Sequence, residues 1–516
     1  MSDSRKAIII GEHPIRENLM AQFTLQGCDI TLSRTMDDNL AKEAWHDIVV
    51  LSSFVPDNSV ASDAESIRIV DKFCEAARKS SVRPTVHLLL QSRETLSLLN
   101  TRDYNDEWHR HIELSAFTTD DVWAQNILCS NSSDAQFRGL DYVPVTYESN
   151  RVVHFVVIGT SNLGTSLVEH AALVAHFPNY TRNHALRTRI TVIDKDIDEW
   201  GKKFISVHKP LMDNSYYRFI NTQKQTCDLH RPMYEGNRED FVDVEWEFVN
   251  ASLHDLVVQD KLQGWADNAE QVMSVAVCHD DDAGNLSDAT LLADLLCRRN
   301  IPIYVKQSTG AMAGIISQSP RLGELVMIGM QDCGYAITLP LLRMAKRVSY
   351  VYDYCYNNNF AAGTEGCITA PSFIDDIDAD TCWLDVKKAI KRYSNICNAM
   401  TLTTKMRSLG HPSDGSRTFY AITRQETDLI AEVEHNRWSV EELLLGFRPC
   451  TDEEQADIEM DISKKADYKQ RLIHYDLRAY DDLRADDTGK NANTYDICLS
   501  ASIPLIVYQE KKGDDA

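Results

Sequence analysis

The sequence predicts an α/β protein built of two doubly wound, parallel-sheet units followed by a small, mostly α-helical module. Three observations lead there. Short apolar runs alternate with helix patterns through the first 130 residues; a second such series begins at Val152 with strand, glycine turn and helix; and a strong helix pattern from Glu426 stops at Gly446. Continuous apolar strands separated by helices imply a parallel sheet covered on both faces. At 516 residues the chain has room for about three domains.

In the first unit, residues 1–130, Lys6 to Ile10 is a buried strand ending at Gly11, Ile15 to Gln26 a helix, and Asp29 to Ser33 a second strand. Asp47 to Ser52 and Thr85 to Leu90 continue the series, with a helix from about Ser62 to Lys79 between them. The turn Gly11-Glu-His-Pro-Ile-Arg16 has no second or third glycine. Pro14 suits a first helical turn but not a phosphate cradle, so this unit reads as structural or partner-binding. Residues 131–150 are polar and read as a linker.

The second unit, residues 151–355, opens with Val152 to Ile158 and the turn Gly159-Thr160-Ser161-Asn162-Leu163-Gly164. Strand, glycine turn and helix together present backbone N–H groups and a helix N-terminus to a pyrophosphate. Gly159 makes the tight turn and Gly164 lets the helix pack closely, while Ser161 replaces the middle glycine and puts a Cβ where phosphates approach. Asp194, ending the run Arg189 to Ile193 with Lys195 beside it, stands where a carboxylate accepts from ribose hydroxyls. It comes late because Phe177 to Leu186 reads as an inserted polar loop. The helix stripe Leu163, Leu167, His170, Ala171 and Val174 packs on the sheet, with His170 as a core or edge histidine. Further strands are Val244 to Val249, Val272 to Cys278 and Ile301 to Lys306. After Cys278, itself a packing residue, His279, Asp280, Asp282 and Asn285 line the strand ends where open sheets hold ligands. The alternative is a solvated acidic loop with Asp282 capping the next helix.

A net charge of −24 argues against non-specific binding to nucleic acid or anionic lipid. There is no apolar run of transmembrane length and no leader pattern, so a cytoplasmic protein without membrane insertion is expected. The 13 scattered cysteines form no C-x-x-C pair and read as reduced thiols. No metal-spaced His/Cys set, nucleophile elbow or Walker lysine occurs, and no catalytic residue is assigned.

Through Gly159 to Gly164, Asp194, Cys278 to Asn285 and Ile301 to Val305, the two units resemble the tandem NAD-binding domains of potassium-transport regulators, the TrkA-N or RCK type. The likeness covers roughly residues 5–355. It implies two Rossmann-like domains, NAD or a related adenine nucleotide as ligand, a homodimer or larger assembly, and a separate membrane transport or signalling protein as partner.

Near the C-terminus, helix 426–445 has the apolar stripe Ile430, Val433, Val440 and Leu444, interrupted by Arg437. His435 and Trp438 lie on a neighbouring face, so imidazole, indole and guanidinium are expected to converge near one surface. Glu434-His-Asn-Arg-Trp438, Gly446-Phe447, His474-Tyr-Asp-Leu477 and Tyr480-Asp-Asp-Leu483 resemble the ryanodine-receptor-type repeat, the RyR domain, over 422–508 within a module spanning 421–510. The resemblance implies a face suited to a nucleotide-type messenger, with His435, Arg437, Trp438, His474 and Tyr480 as candidate contacts. Alternatively Trp438 anchors the module's core, and His435 and Arg437 bond the returning segment 474–480. Residues 356–420 are expected as a helical connector, with helices at Ile337 to Lys346 and Thr381 to Leu409 and a joint at Ala361 to Gly366. The resulting expectation is a nucleotide-binding regulator; an NAD(P)-dependent oxidoreductase and a scaffold with a vestigial site are the alternatives.

Overall fold

The computed structural model describes residues 5–51, 59–101, 106–129, 137–232, 240–296, 299–316, 318–319, 322, 325–332, 339–360, 369–386, 389–411, 421–484 and 493–508. The joint expected at 361–366 lies outside them.

Two parallel sheets organise the chain. The first holds β1 (Lys6–Ile10), β2 (Asp29–Ser33), β3 (Asp47–Leu51), β4 (Thr85–Leu89) and β5 (Glu113–Phe117) in the order β2-β1-β3-β4-β5, every pair parallel. Its three central strands, β1, β3 and β4, are largely apolar because both faces are covered, while the edge strands β2 and β5 are only partly buried. Ala7, Ile9, Val49 and Leu51 enter the main core, while Ile8, Ile10, Ile48 and Val50 enter a second core on the opposite face.

The second sheet holds β6 (Val152–Ile158), β7 (Thr188–Asp194), β8 (Tyr216–Asn221), β9 (Thr226–His230), β10 (Val244–Asn250), β11 (Gln271–Val277), β12 (Ile303–Lys306) and β13 (Leu325–Ile328). Their order is β13-β12-β11-β6-β7-β10-β8-β9, parallel except for β9. The β8–β9 hairpin, which has no counterpart among the expected strands, extends the sheet beyond β10. The chain runs outward from β6 through β7 and β10 on one side and through β11, β12 and β13 on the other. The carboxyl ends of β6 and β11 are therefore neighbours across the point where the order reverses.

Several expectations need correction. The stretch Phe177 to Leu186 is not simply a polar loop: it contains the short helix Asn179–Arg182, with Phe177 and Tyr180 buried. The described part of the expected linker, 137–150, is packed rather than free. Leu140, Asp141 and Val145 are buried there, and Arg407 Nε donates to Asp141 Oδ2 at 2.8 Å. The helices found between 356 and 420, Asp376–Asp385 and Ala389–Ser408, are not a separate connector. Together with Leu339–Cys355, Arg424–Leu444 and Asn493–Tyr508 they enclose one core around Val348, Val351, Leu402, Ile430 and Ile503.

The first sheet joins the second through helix Thr119–Leu128, which packs on helix Asn162–Val174. Its Trp123 donates through Nε1 to the Met330 carbonyl at 3.1 Å. Among the described residues no helix is long and apolar enough to cross a membrane.

Removing the Asp141 carboxylate takes away the acceptor that both Nε and Nη2 of the half-buried Arg407 use. Asp141→Ala is expected to lower stability by about 3 kcal/mol, read as a lower urea midpoint, with faster amide exchange across 140–145. An unchanged midpoint would show that segment to be a free linker after all.

Candidate functional site

The glycine turn sits where β6 meets β11. Gly159 has φ +95°, and a Cβ on it would lie 2.6 Å from the His279 backbone nitrogen. A Cβ on Gly164 would lie 2.8 Å from the Gly159 carbonyl oxygen. Both positions therefore require glycine, one for the turn and one for close helix packing. Ser161 is the helix N-cap, its Oγ accepting from the Gly164 N–H at 3.4 Å, and its own N–H donates to the Cys278 carbonyl at 3.1 Å. The main-chain donor at the middle-glycine position is thus already engaged. Asn162 and Leu163 open the helix, where N–H groups have no carbonyl a turn earlier to meet; the Leu163 side chain itself is buried.

Across the turn, Thr160 Oγ1 donates to Asp194 Oδ2 at 3.1 Å, and the Asp196 N–H donates to Asp194 Oδ1 at 2.9 Å. Asp194 is half-buried and Lys195 is exposed. The structure thus brings Gly159, Thr160, Ser161, Asn162 and Asp194 together at one edge.

On the β11 side His279 lies against Gly159, with Nε2 3.0 Å from Asp288 Oδ2. That hydrogen bond raises the imidazole pKa against the lowering effect of burial. Asp288 also lies 3.2 Å from His254 Nε2. Asn285, read as lining the crevice, is instead fully buried and clamps the loop: its Oδ1 accepts from the His279 N–H at 2.7 Å and its Nδ2 donates to the His279 carbonyl at 3.0 Å. The helix cap is Asp281 and not Asp282, with Oδ2 accepting from the Gly284 N–H at 2.7 Å. Asp282 accepts from the Ser308 N–H at 3.0 Å and ties β12 to this loop. Asp280 is exposed, 3.4 Å from Lys306 Nζ, which also donates to the His279 carbonyl at 3.2 Å.

The C-terminal candidates form an interior instead of an open face. Arg437 is fully buried and meets partners instead of reaching water, because two carboxylates on its own helix neutralise it. Its Nη1 donates to Glu441 Oε2 at 2.5 Å and its Nη2 to Glu434 Oε1 at 2.8 Å. Lys405, from helix Ala389–Ser408, also pairs with Glu434. Burial pushes the Glu434 carboxyl up, but the charges of Arg437 and Lys405 outweigh it and hold the group well below the carboxylate range. Glu441 has one such partner, and burial raises it. His435 Nε2 donates to the Arg478 carbonyl at 2.7 Å, so the returning segment is bonded to this helix. His474 and Tyr480 are buried, and the half-buried Trp438 meets the His474 ring edge-on at 4.9 Å. Lys469 Nζ donates to His474 Nε2 at 2.9 Å.

No family model matches the chain, and no curated protein matches it. Among the described residues no group of three or more His, Cys, Asp or Glu is placed to hold a metal ion.

Sequence reasoning missed Asp288, Lys306 and Asp120 at the crevice. Asp288 was within reach: Asn285, Asp288, Ala289 and Leu292 share the buried stripe of helix Asp282–Leu295, and two polar residues on a buried stripe imply inward bonding. Asp120 carries no such mark, since burial and then the neighbouring Asp121 raise it to about 6 only once the two units meet.

Two outcomes follow from the buried charges. Arg437→Met leaves Glu441 out of water without a cation and Glu434 with Lys405 alone, and should lower stability by about 3–5 kcal/mol; a loss under about 1 kcal/mol in urea titration would refute the pairing. Burial pushes Glu442 up to about 7, with Lys469 opposing. An unfolded glutamate ionises near ~4.3, so stability is lost as pH rises from there to about 7. Glu442→Gln should therefore be more stable than the parent at pH ~8, by about 1–3 kcal/mol, with no such gain at pH ~4. Equal gains at both pH values would contradict the raised carboxyl.

Proposed function

We propose that this protein is a nucleotide-binding regulator that holds NAD or a related adenine nucleotide at the carboxyl ends of β6 and β7. One observation carries the reading: a glycine turn and helix N-terminus stand at the reversal point of the second sheet, with a carboxylate across the turn. With the β8–β9 hairpin set aside, the strand order counted along the chain is 3-2-1-4-5-6, the order of Rossmann-like dinucleotide-binding sheets. In this reading the pyrophosphate lies against the N–H groups of Asn162 and Leu163, and Asp194 accepts from the ribose hydroxyls. The first unit, of order 2-1-3-4-5, serves as a wall and a partner surface. The C-terminal helices are read as an RyR-like module in which Trp438 is the residue left to meet a second ligand. A homodimer and a separate membrane transport or signalling partner belong to the same reading.

A scaffold reading is favoured by one observation, the engagement of the Ser161 N–H with the Cys278 carbonyl. The two readings separate in a thermal-shift screen of the full chain with NAD, NADH, ATP, AMP and ADP-ribose. A ligand at roughly a hundred times its Kd stabilises the protein by about 2.7 kcal/mol. Asp194→Ala is expected to weaken that ligand by about 1–3 kcal/mol through the lost charged hydrogen bond. No shift with any of the five supports the scaffold, and undiminished affinity in Asp194→Ala removes the ribose role.

A further inference from the structure

A cavity of about 780 Å³ lies between β5, the edge strand of the first sheet, and the helices Asn162–Val174, Ile197–Val207 and Ala389–Ser408. Its size is that of a small-molecule site. Arg392 lies in its wall and is only 4% exposed. Two of its nitrogens hold the local fold: Nε donates to the Val386 carbonyl at 3.0 Å and Nη2 to the Trp383 carbonyl at 2.8 Å. The third, Nη1, is buried without a hydrogen-bond partner among the described residues, and so is Nε1 of Trp383, over whose ring the guanidinium lies at 5.0 Å.

Among the described residues no ion pair reaches Arg392, which sets it apart from the other buried cations near the cavity. Arg93 is matched by Glu169 and Asp121, and Glu169 also takes a hydrogen bond from His208 Nε2 at 3.0 Å. Glu113 lies 3.4 Å from Lys346 Nζ. Burial pushes the Arg392 guanidinium down to about 10, with Glu113 attracting and Arg83 repelling it from further off. A buried guanidinium with no carboxylate, beside a buried indole N–H with no acceptor, is missing an anion. From helix Ile197–Val207 the cavity is also lined by the exposed Lys203 and by Trp200 and Phe204, whose rings stack at 4.9 Å and offer a flat apolar surface.

We propose that this cavity binds a small organic anion with a flat apolar body, its charged group held by Arg392 Nη1 and Trp383 Nε1. The cavity extends to the crevice at the ends of β6 and β7, since Thr160 and Asn162 are among its lining residues, but Arg392 and Trp383 belong to other elements. The ring lies along the Trp200–Phe204 side, and Lys203 draws the anion in from solvent.

Calorimetric titration of the full chain with benzoate and with phenyl phosphate tests this, because the probes share a ring and differ in the charged group. Saturable binding of either is expected, and the tighter one tells whether the natural ligand is a carboxylate or a phosphate ester. Arg392→Gln should weaken the tighter probe at least tenfold, and Trp383→Phe, which keeps a ring but loses the N–H, by about threefold. Should Arg392→Gln fail to fold, Lys203→Gln, at an exposed position, should weaken the same probe about threefold. Absence of saturable binding by both probes, or affinity unchanged in every variant that folds, overturns the proposal.

Discussion

A guanidinium removed from water keeps its charge, so everything around it has to be arranged to answer that charge. Arg437 is the most completely buried such group among the described residues, and its answer comes from Glu434 three residues before and Glu441 four residues after, on the same helix. Glu434 is shared in turn with Lys405 and Asn398 of helix Ala389–Ser408. One ion pair within a helix thereby fixes the phase of that helix against its neighbour. The terminal helix Asn493–Tyr508 closes the third side, with Asp496 3.6 Å from His435. Apolar packing around Ile430 and Ile503 supplies the bulk of the burial there, and the charge pairs add direction to it.

The second sheet obeys a different constraint, the closeness of backbone to backbone at its reversal point. Gly159 and Gly164 remove two side chains so that turn, helix and the β11 loop meet without clash. Ser161 then uses both its hydroxyl and its N–H to hold the turn in place. Asp194 and His279 face each other across this turn, each held by a partner of its own, so the edge is ordered before any ligand arrives.

Much of this was legible in the residues. The apolar strands, the turn from Gly159 to Gly164 and Asp194 show themselves through local pattern, because glycine and strand-end carboxylates mark the chain where they act. The hairpin Tyr216–Asn221 and Thr226–His230 was not, since its strands are only partly buried or exposed and show no clean alternation. The packing of 137–150 also went unread: its polar composition hides Leu140 and Val145, and the partner of Asp141 comes 266 residues later. The burial of Arg437 had a local sign in the spacing of Glu434 and Glu441, which outweighs the surface preference of arginine. Arg392 had none, because its isolation depends on which carboxylates other elements fail to bring near.

The bond from Trp123 to the Met330 carbonyl, taken with Arg407 to Asp141, bears on the order in which the chain can reach its native state. On a ribosome the first sheet emerges complete, yet the helix that closes it gains its bond to the Met330 carbonyl only once residue 330 has been made. Asp141 then waits for residue 407. The face by which the N-terminal unit joins the rest of the chain is therefore completed only by residues made much later.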